Sequence, residues 1–524
     1  MDKNKQITRR RFLAYLGTGA ATIATASSGL SLVLGGTTAS AAAADRLFDK
    51  KTSVISGSFT PIEPSGSDRF IVPSGYKIDT IAAFGDPLND KGETFGTGAT
   101  FSRFFPLGDS SSNGLLVVGH AEAPDEDAQS SLSRQGVSVL EVYRSKEGSW
   151  QPDTSSPYAR RISGLDPADL TGPARGSRSL RGATRVQGTF ANRSAAATPW
   201  GTLITGEAAF DDTSRASGLD PSHYGWIVEL DPFDAKSVPQ KHTALGRFRH
   251  GGISVSLTKD GRVAVYMGDS TNKACLYKYI SKGIYNPDAG KNNSKLLADG
   301  TLYAANLEKG SWIQLDFDAV KAVLTDLTRP IPAGIGRVRE DLKEKLADPS
   351  DVYVYAYESA LLLGATPTDR FGDIAVCPID NSVFLSYPNN PARGSIHGQI
   401  IRLFEENDDA GASSFHFDVF AAGGRQGGFS SPDALAFDRQ GNLWATSDMP
   451  VDRTESNAYA PFQNNGLYVI PNRKQADGKA VQFASAPRGA RCAGAAFAPD
   501  ERTLFVSLQR ETTGPAIVAI TGVF

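Results

Sequence analysis

From about residue 110 to its end the chain alternates between short apolar runs and polar turns. "NGLLVVGH", "WGTLITGE", "YGWIVELDP", "DGRVAVYMGD", "KACLYKYI", "GTLYAANL", "NSVFLSYP", "GQIIRLF", "NGLYVIP" and "RTLFVSLQ" are each of strand length, too short for helices and bounded by Gly, Asp, Asn or Pro. Their order repeats. Residues 373–403, 433–471 and 492–520 each run small-apolar strand, tight turn, stronger strand, loop, final strand, at a spacing of about sixty residues. Residues 252–280 hold a fourth copy with a shorter loop. A meander of this size cannot bury both faces alone, so the copies must pack against one another, and this predicts an all-β chain arranged as a β-propeller. The phrase "SPDALAFDRQGNLWATSD", Ser431 to Asp448, then reads as the inner strand pair of one blade.

One stretch breaks the pattern. Helical periodicity runs from Phe317 to Leu327 and from Val338 to Leu346, interrupted by Pro330 and Pro332, which predicts a short helical insertion near 316–346 lying across one rim. Residues 45–110 and 125–190, rich in Gly, Ser and Pro, read as entry strands and long rim loops.

The N-terminus is an address. Arg9, Arg10 and Arg11 precede Phe12-Leu13, a weakly apolar Gly/Ala/Thr segment and the small residues Ala39-Ser40-Ala41. This is the layout of a twin-arginine export signal over residues 1–44, with a single propeller domain over 45–524 and a periplasmic or extracellular destination. A retained N-terminal anchor is the other reading of the same segment. The segment carries five basic and one acidic side chain, so its removal takes the formal charge from −3 to −7. No basic stripe remains to suggest a nucleic-acid partner. The later chain offers no membrane-spanning run, and a soluble monomer is expected. Cys275, Cys377 and Cys492 are far apart, without metal-ligand spacing, and read as small buried hydrophobes.

The segments "ATPWGTLITGEAAF", "YGWIVELDPF", "ALGRFRHGG", "GRVAVYMGDS", "LYKYIS", "LLADGTLYAA", "SPDALAFDRQGNLWATSD" and "APDERTLFVSLQ", taken in order, resemble the PhoX-type exported alkaline phosphatases from about Phe70 to Phe524. The resemblance implies six blades, twin-arginine export, and phosphomonoester hydrolysis at an iron–calcium cluster held by carboxylates and one cysteine in the central funnel. Such a cluster concentrates positive charge on a dianion and needs several oxygen donors on one rim.

Where the resemblance implies ligands, this chain departs from it. The implied Asn-His-Glu is Gly119-His120-Ala121, with Glu122 one residue late and facing away unless the strand bulges. The implied cysteine is Arg193, and the implied Cys-Glu-Glu is Gly206-Glu207-Ala208. His-Glu becomes His250-Gly251, Gly-Asp-Asp becomes Gly268-Asp269-Ser270, and Arg-Pro-Glu-Asp becomes Arg370-Phe371-Gly372-Asp373. The expected glutamate is missing from "APRGARCAG", and Gln-His is Gln509-Arg510.

Glu207, Asp269, Asp373, Glu122 and His120 are therefore the candidate metal-site residues, calcium being the ion such a reduced oxygen set would take and iron being disfavoured by Arg193. Turn-capping acids and hydrogen-bonded histidines are the structural reading of these positions, as of Asp433, Asp448 and His250. Arg193, Arg370, Arg491 and Arg510 stand at former site positions; convergent, they would make an anion pocket, and otherwise they are scattered ion pairs. Two functions follow. One is a metal-dependent phosphatase acting on small phosphate esters. The other is a non-catalytic propeller that binds an anionic ligand or a partner protein through its funnel.

Overall fold

The run Ser431–Asp448 folds as two antiparallel strands, Pro432–Phe437 and Leu443–Ser447, joined by a tight turn. Gly441 takes a φ of +80° in that turn, and its N–H donates to the Asp438 carbonyl. The Asp438 carboxylate accepts from the Asn442 N–H at 2.8 Å and from Trp444 Nε1 at 3.0 Å. One acid thus closes the turn and fixes the large ring that follows it. Trp444 then packs edge-on against Phe483, Phe497 and Phe524, which joins this blade to the next.

The computed structural model describes residues 59–122, 128–208, 210–456, 458–472, 478–510 and 514–524, so the export segment expected at 1–44 lies outside the described residues. The described chain forms six sheets of four to six strands. Their first strands are Ala99–Pro106, Asn192–Ala197, His250–Leu257, Ile374–Val376, Pro432–Phe437 and Ala490–Phe497. Each first strand touches the first strand of the next sheet, and the sixth touches the first, so the six close a ring around a central axis. This is the six-bladed propeller that the repeats and the resemblance predict, numbered here blade 1 to blade 6 in that order. The N-terminal strand Lys77–Ala83 pairs antiparallel with Pro515–Thr521 at the outer edge of blade 6, so the two ends of the chain clasp the circle shut. Apolar clusters fill the wedges between blades.

Two expectations need correction. The segment 125–190 is not mainly loop: it supplies the outer strands Gly136–Arg144, Trp150–Asp153 and Arg160–Ile162 of blade 1, and Pro167–Thr171 and Arg185–Gln187 of blade 2. Most of these are short edge strands rich in Arg, Pro and Asp, whose pattern does not alternate cleanly. The helical insertion is also longer than 316–346. Helices span Phe317–Thr325 and Arg339–Lys345, but Asp351–Val354 and Ala356–Leu362 continue it. Together they bury Val320, Leu342 and Ala360 in the core that blades 2 and 3 share.

Gly398 carries a tight junction in blade 4. Its φ is +66°, and an added Cβ would lie 2.1 Å from the carbonyl oxygens of both Tyr387 and Pro388. Gly398→Ala is expected to lower stability by at least about 2 kcal/mol, from left-handed strain plus the clash, measured by urea denaturation.

Candidate functional site

A cavity of about 200 Å³ opens where the six first strands converge. Every blade contributes to its wall: Thr100 from blade 1, Arg193 from blade 2, Arg249 and Gly251 from blade 3, Arg370 and Gly372 from blade 4, Asp433 from blade 5, and Ala493 from blade 6. It therefore sits on the propeller axis. Ala208, Ser270, Phe371 and Gln509 complete the lining. From the stretches in which the resemblance implies ligands, Arg193, Ala208, Gly251, Ser270, Gly372 and Gln509 meet here.

Apart from Asp433, the surviving acids do not meet there; side chains alternate along an extended chain, and Glu207, Asp269 and Asp373 each stand one residue from a lining position. Glu207, next to Ala208, turns into blade 2. Its Oε1 accepts from the buried Lys241 Nζ at 2.7 Å and its Oε2 from the Gly225 and Trp226 N–H groups at 2.8 and 3.2 Å. Asp269, next to Ser270, accepts from the Thr271 N–H at 2.8 Å. Asp373, next to Gly372, accepts from Ser194 Oγ at 2.8 Å and the Leu435 N–H at 3.1 Å. Glu122 pairs with Arg134 at 2.9 Å. His120 is buried with Nδ1 3.1 Å from the Thr97 carbonyl and Nε2 2.8 Å from Ser138 Oγ, and burial, then Arg161, push its pKa down. The structure thus engages all five candidate metal-site residues elsewhere, and among the described residues no three His, Cys, Asp or Glu side chains are grouped to hold an ion. His250 is likewise enclosed, against Phe248 and the Gly225 carbonyl, with its pKa pushed down to about 3 by burial.

The donor set does not fit an iron–calcium cluster. A calcium ion takes six to eight oxygen ligands, roughly, and several of them charged, whereas this wall holds one carboxylate, Asp433, among three guanidinium groups. Nor is the wall simply missing side chains. A Cβ at Gly251 would lie 2.6 Å from the Phe371 carbonyl oxygen, and one at Gly372 would lie 2.7 Å from Asp433 Oδ1. A backbone carbonyl thus fills the space beside Gly251, and the Asp433 carboxylate and Ser386 hydroxyl fill that beside Gly372.

What remains suits an anion. Arg193 is exposed, and no hydrogen bond or ion pair holds it among the described residues. Arg249 is anchored from behind by Asp211 at 2.8 Å, and Arg370 by Asp448 at 3.1 Å. An anchored arginine keeps further N–H donors free and has lost part of its side-chain entropy before a ligand arrives. Arg491 also binds Asp448, at 3.2 Å, and stands one ion pair behind the wall. Arg510 pairs with Asp68 at 2.8 Å and does not line the cavity. Of the four arginines singled out by sequence, two line the cavity, while Arg249 was missed; its neighbour His250 was noted for its own chemistry.

Asp433 is partly exposed to the cavity, and its carboxylate has no hydrogen-bond partner among the described residues. Burial, then the nearby Asp448, push its pKa up to about 7 against the pull of Arg370 and Arg193. A larger rim cleft of about 410 Å³, lined by Gln314, Asp316, Phe317, Asp348 and Tyr353, presents no cation, and its acids are spent on the helix cap at Ala319 and the turn at Ser350.

Burial also pushes Asp269 up to about 6, partly offset by the Thr271 hydrogen bonds. Its folded pKa lies above its ordinary value, so its contribution to stability is complete below about pH 4 and is lost as pH rises through 6. Asp269→Asn, which keeps an acceptor for the Thr271 N–H, is expected to gain about 2 kcal/mol over the parent at about pH 8 and nothing at about pH 4, measured by denaturant unfolding at both values.

Comparison with known proteins agrees with the propeller fold. A family model described as alkaline phosphatase PhoX matches residues 57–511. The solved structure of Pseudomonas fluorescens PhoX in complex with vanadate, a transition-state analogue, is 27% identical, with a TM-score of 0.77 over 89% of this chain and 98% of that one. A gluconolactonase from Xanthomonas campestris aligns at 14% identity and a TM-score of 0.36 over 89% of this chain and 99% of that one. No curated protein matches the sequence.

Proposed function

The chain belongs to the PhoX alkaline phosphatase family, and from that premise we propose that its funnel mouth recognises the phosphoryl group of phosphomonoesters on arginine side chains. One observation carries the reading: Arg193, Arg249 and Arg370, delivered by three different blades, line a single axial cavity with Thr100, Ser270 and Gln509. Guanidinium forks match the oxygen geometry of a phosphoryl dianion and are always charged. A cavity of about 200 Å³ seats the phosphoryl group and leaves the rest of the ester at the open mouth. The Pseudomonas fluorescens relative holds vanadate, an oxyanion of similar shape, which is consistent with this assignment. We further propose that residues 1–44 direct export by the twin-arginine route ahead of one propeller domain; among the described residues, no helix is long and apolar enough to cross a membrane.

Titration of the purified protein with inorganic phosphate by calorimetry tests the reading. Saturable binding that is displaced by 4-nitrophenyl phosphate is expected. An absence of phosphate binding across the pH range sinks it.

A further inference from the structure

We propose that Asp433 is the proton donor that lets this cavity cleave phosphomonoesters without a metal ion, protonating the leaving oxygen while Arg193, Arg249 and Arg370 hold the phosphoryl group. The inference rests on the phosphoryl reading above. It starts from a chemical requirement. Breaking the P–O bond of an alkyl ester expels an alkoxide, which must be neutralised by a cation or by a proton. The wall does not fit a cation cluster, because Asp433 is its one carboxylate and Glu207, Asp269 and Asp373 are bonded elsewhere. The arginines supply charge for the phosphoryl oxygens, but a guanidinium does not give up its proton. Asp433 is the remaining acid on the wall, and no hydrogen bond or ion pair among the described residues ties up its carboxyl group.

Its surroundings favour the protonated form. Arg193, Arg249 and Arg370 line the cavity with it, Asp448 pairs with Arg370 at 3.1 Å, and Asp373, which Arg103 offsets, adds negative charge nearby. Burial first, then Asp448, raise its pKa to about 7 against the pull of Arg370 and Arg193, so a proton is available on this carboxyl around neutral pH. The step balances. The P–O(ester) bond breaks as the Asp433 proton passes to the ester oxygen, and water oxygen forms the new P–O bond. The proton that this water sheds returns to the Asp433 carboxylate, so ester dianion and water give alcohol and hydrogen phosphate. Asp433 holds its place without using its side chain: its backbone carbonyl accepts from Ser386 Oγ at 2.6 Å.

The test uses the full chain after exhaustive chelation, with metal content checked by elemental analysis. Hydrolysis of 4-nitrophenyl phosphate, whose leaving group needs little protonation, is compared with that of ethyl phosphate, whose leaving group needs it fully. Turnover is expected to survive chelation and to fall as pH rises above neutral. Asp433→Asn should lose about 100-fold on ethyl phosphate and less than about 10-fold on 4-nitrophenyl phosphate. It should still bind inorganic phosphate, which reports an intact mouth, and Asp433→Glu should recover part of the ethyl phosphate rate. Equal losses on the two esters overturn the inference. So does turnover that disappears on chelation and returns with calcium or iron, or phosphate binding with no turnover of either ester. If inorganic phosphate does not bind at all, the phosphoryl reading itself has failed, and this inference falls with it.

Discussion

Lys241→Met is expected to destabilise the propeller by about 3–5 kcal/mol, the cost of leaving a buried charge without its partner. Both Lys241 and Glu207 are wholly buried, and Lys241 Nζ donates to Glu207 Oε1 at 2.7 Å and to the His223 carbonyl at 3.2 Å. The ammonium also lies 4.2 Å from the centroid of the Tyr224 ring. Removing the lysine strands the carboxylate on two backbone N–H groups. Burial pulls the Lys241 pKa down and Glu207, through charge and hydrogen bond, pulls it back up. The double replacement Lys241→Met with Glu207→Gln should recover much of the loss, since a neutral amide accepts the Gly225 hydrogen bond without a charge to compensate. Denaturant unfolding of the two single variants and the double variant measures the coupling. A Lys241→Met protein as stable as the parent would show that Glu207 has another cation, and would reopen it as a metal ligand.

Arg193→Ala should weaken binding of inorganic phosphate by about 10- to 100-fold, the worth of one or two charge-assisted hydrogen bonds. Arg193 has no structural duty among the described residues, so the variant should fold as the parent does. Arg370→Ala should produce a similar loss with a side effect, because Asp448 is then left with Arg491 alone at 3.2 Å and pushes more negative charge toward the cavity. Arg510→Ala is the control. Its guanidinium is engaged with Asp68 outside the cavity, and the affinity should not change. Calorimetric titration of the three variants separates an arginine mouth from a general effect of net charge, which would weaken all three alike.

Much of the fold was legible in the linear pattern. The strand–turn–strand phrases at 252–280, 373–403, 433–471 and 492–520 all became blades. Blade 1 was harder to see because its outer strands are edge strands, whose residues answer to solvent on one side and to loops on the other. The helices at Asp351–Val354 and Ala356–Leu362 were hidden for a related reason: four to seven residues packed on several sides show no clean amphipathic stripe.

The site divides along a similar line. Residue type alone established that acids had been lost from the positions the family resemblance marks, and that arginine stood where a thiolate was implied. It left open which survivors faced the axis, because a displacement of one residue along a strand reverses the direction of a side chain. Only the packed ring of six first strands decided that Glu207, Asp269 and Asp373 turn into the blades while Arg193, Arg249, Arg370 and Asp433 turn into the cavity. Local pattern comes from short-range periodicity and can be read along one segment. Convergence at an axis depends on the twist and order of six sheets at once, which no single segment contains.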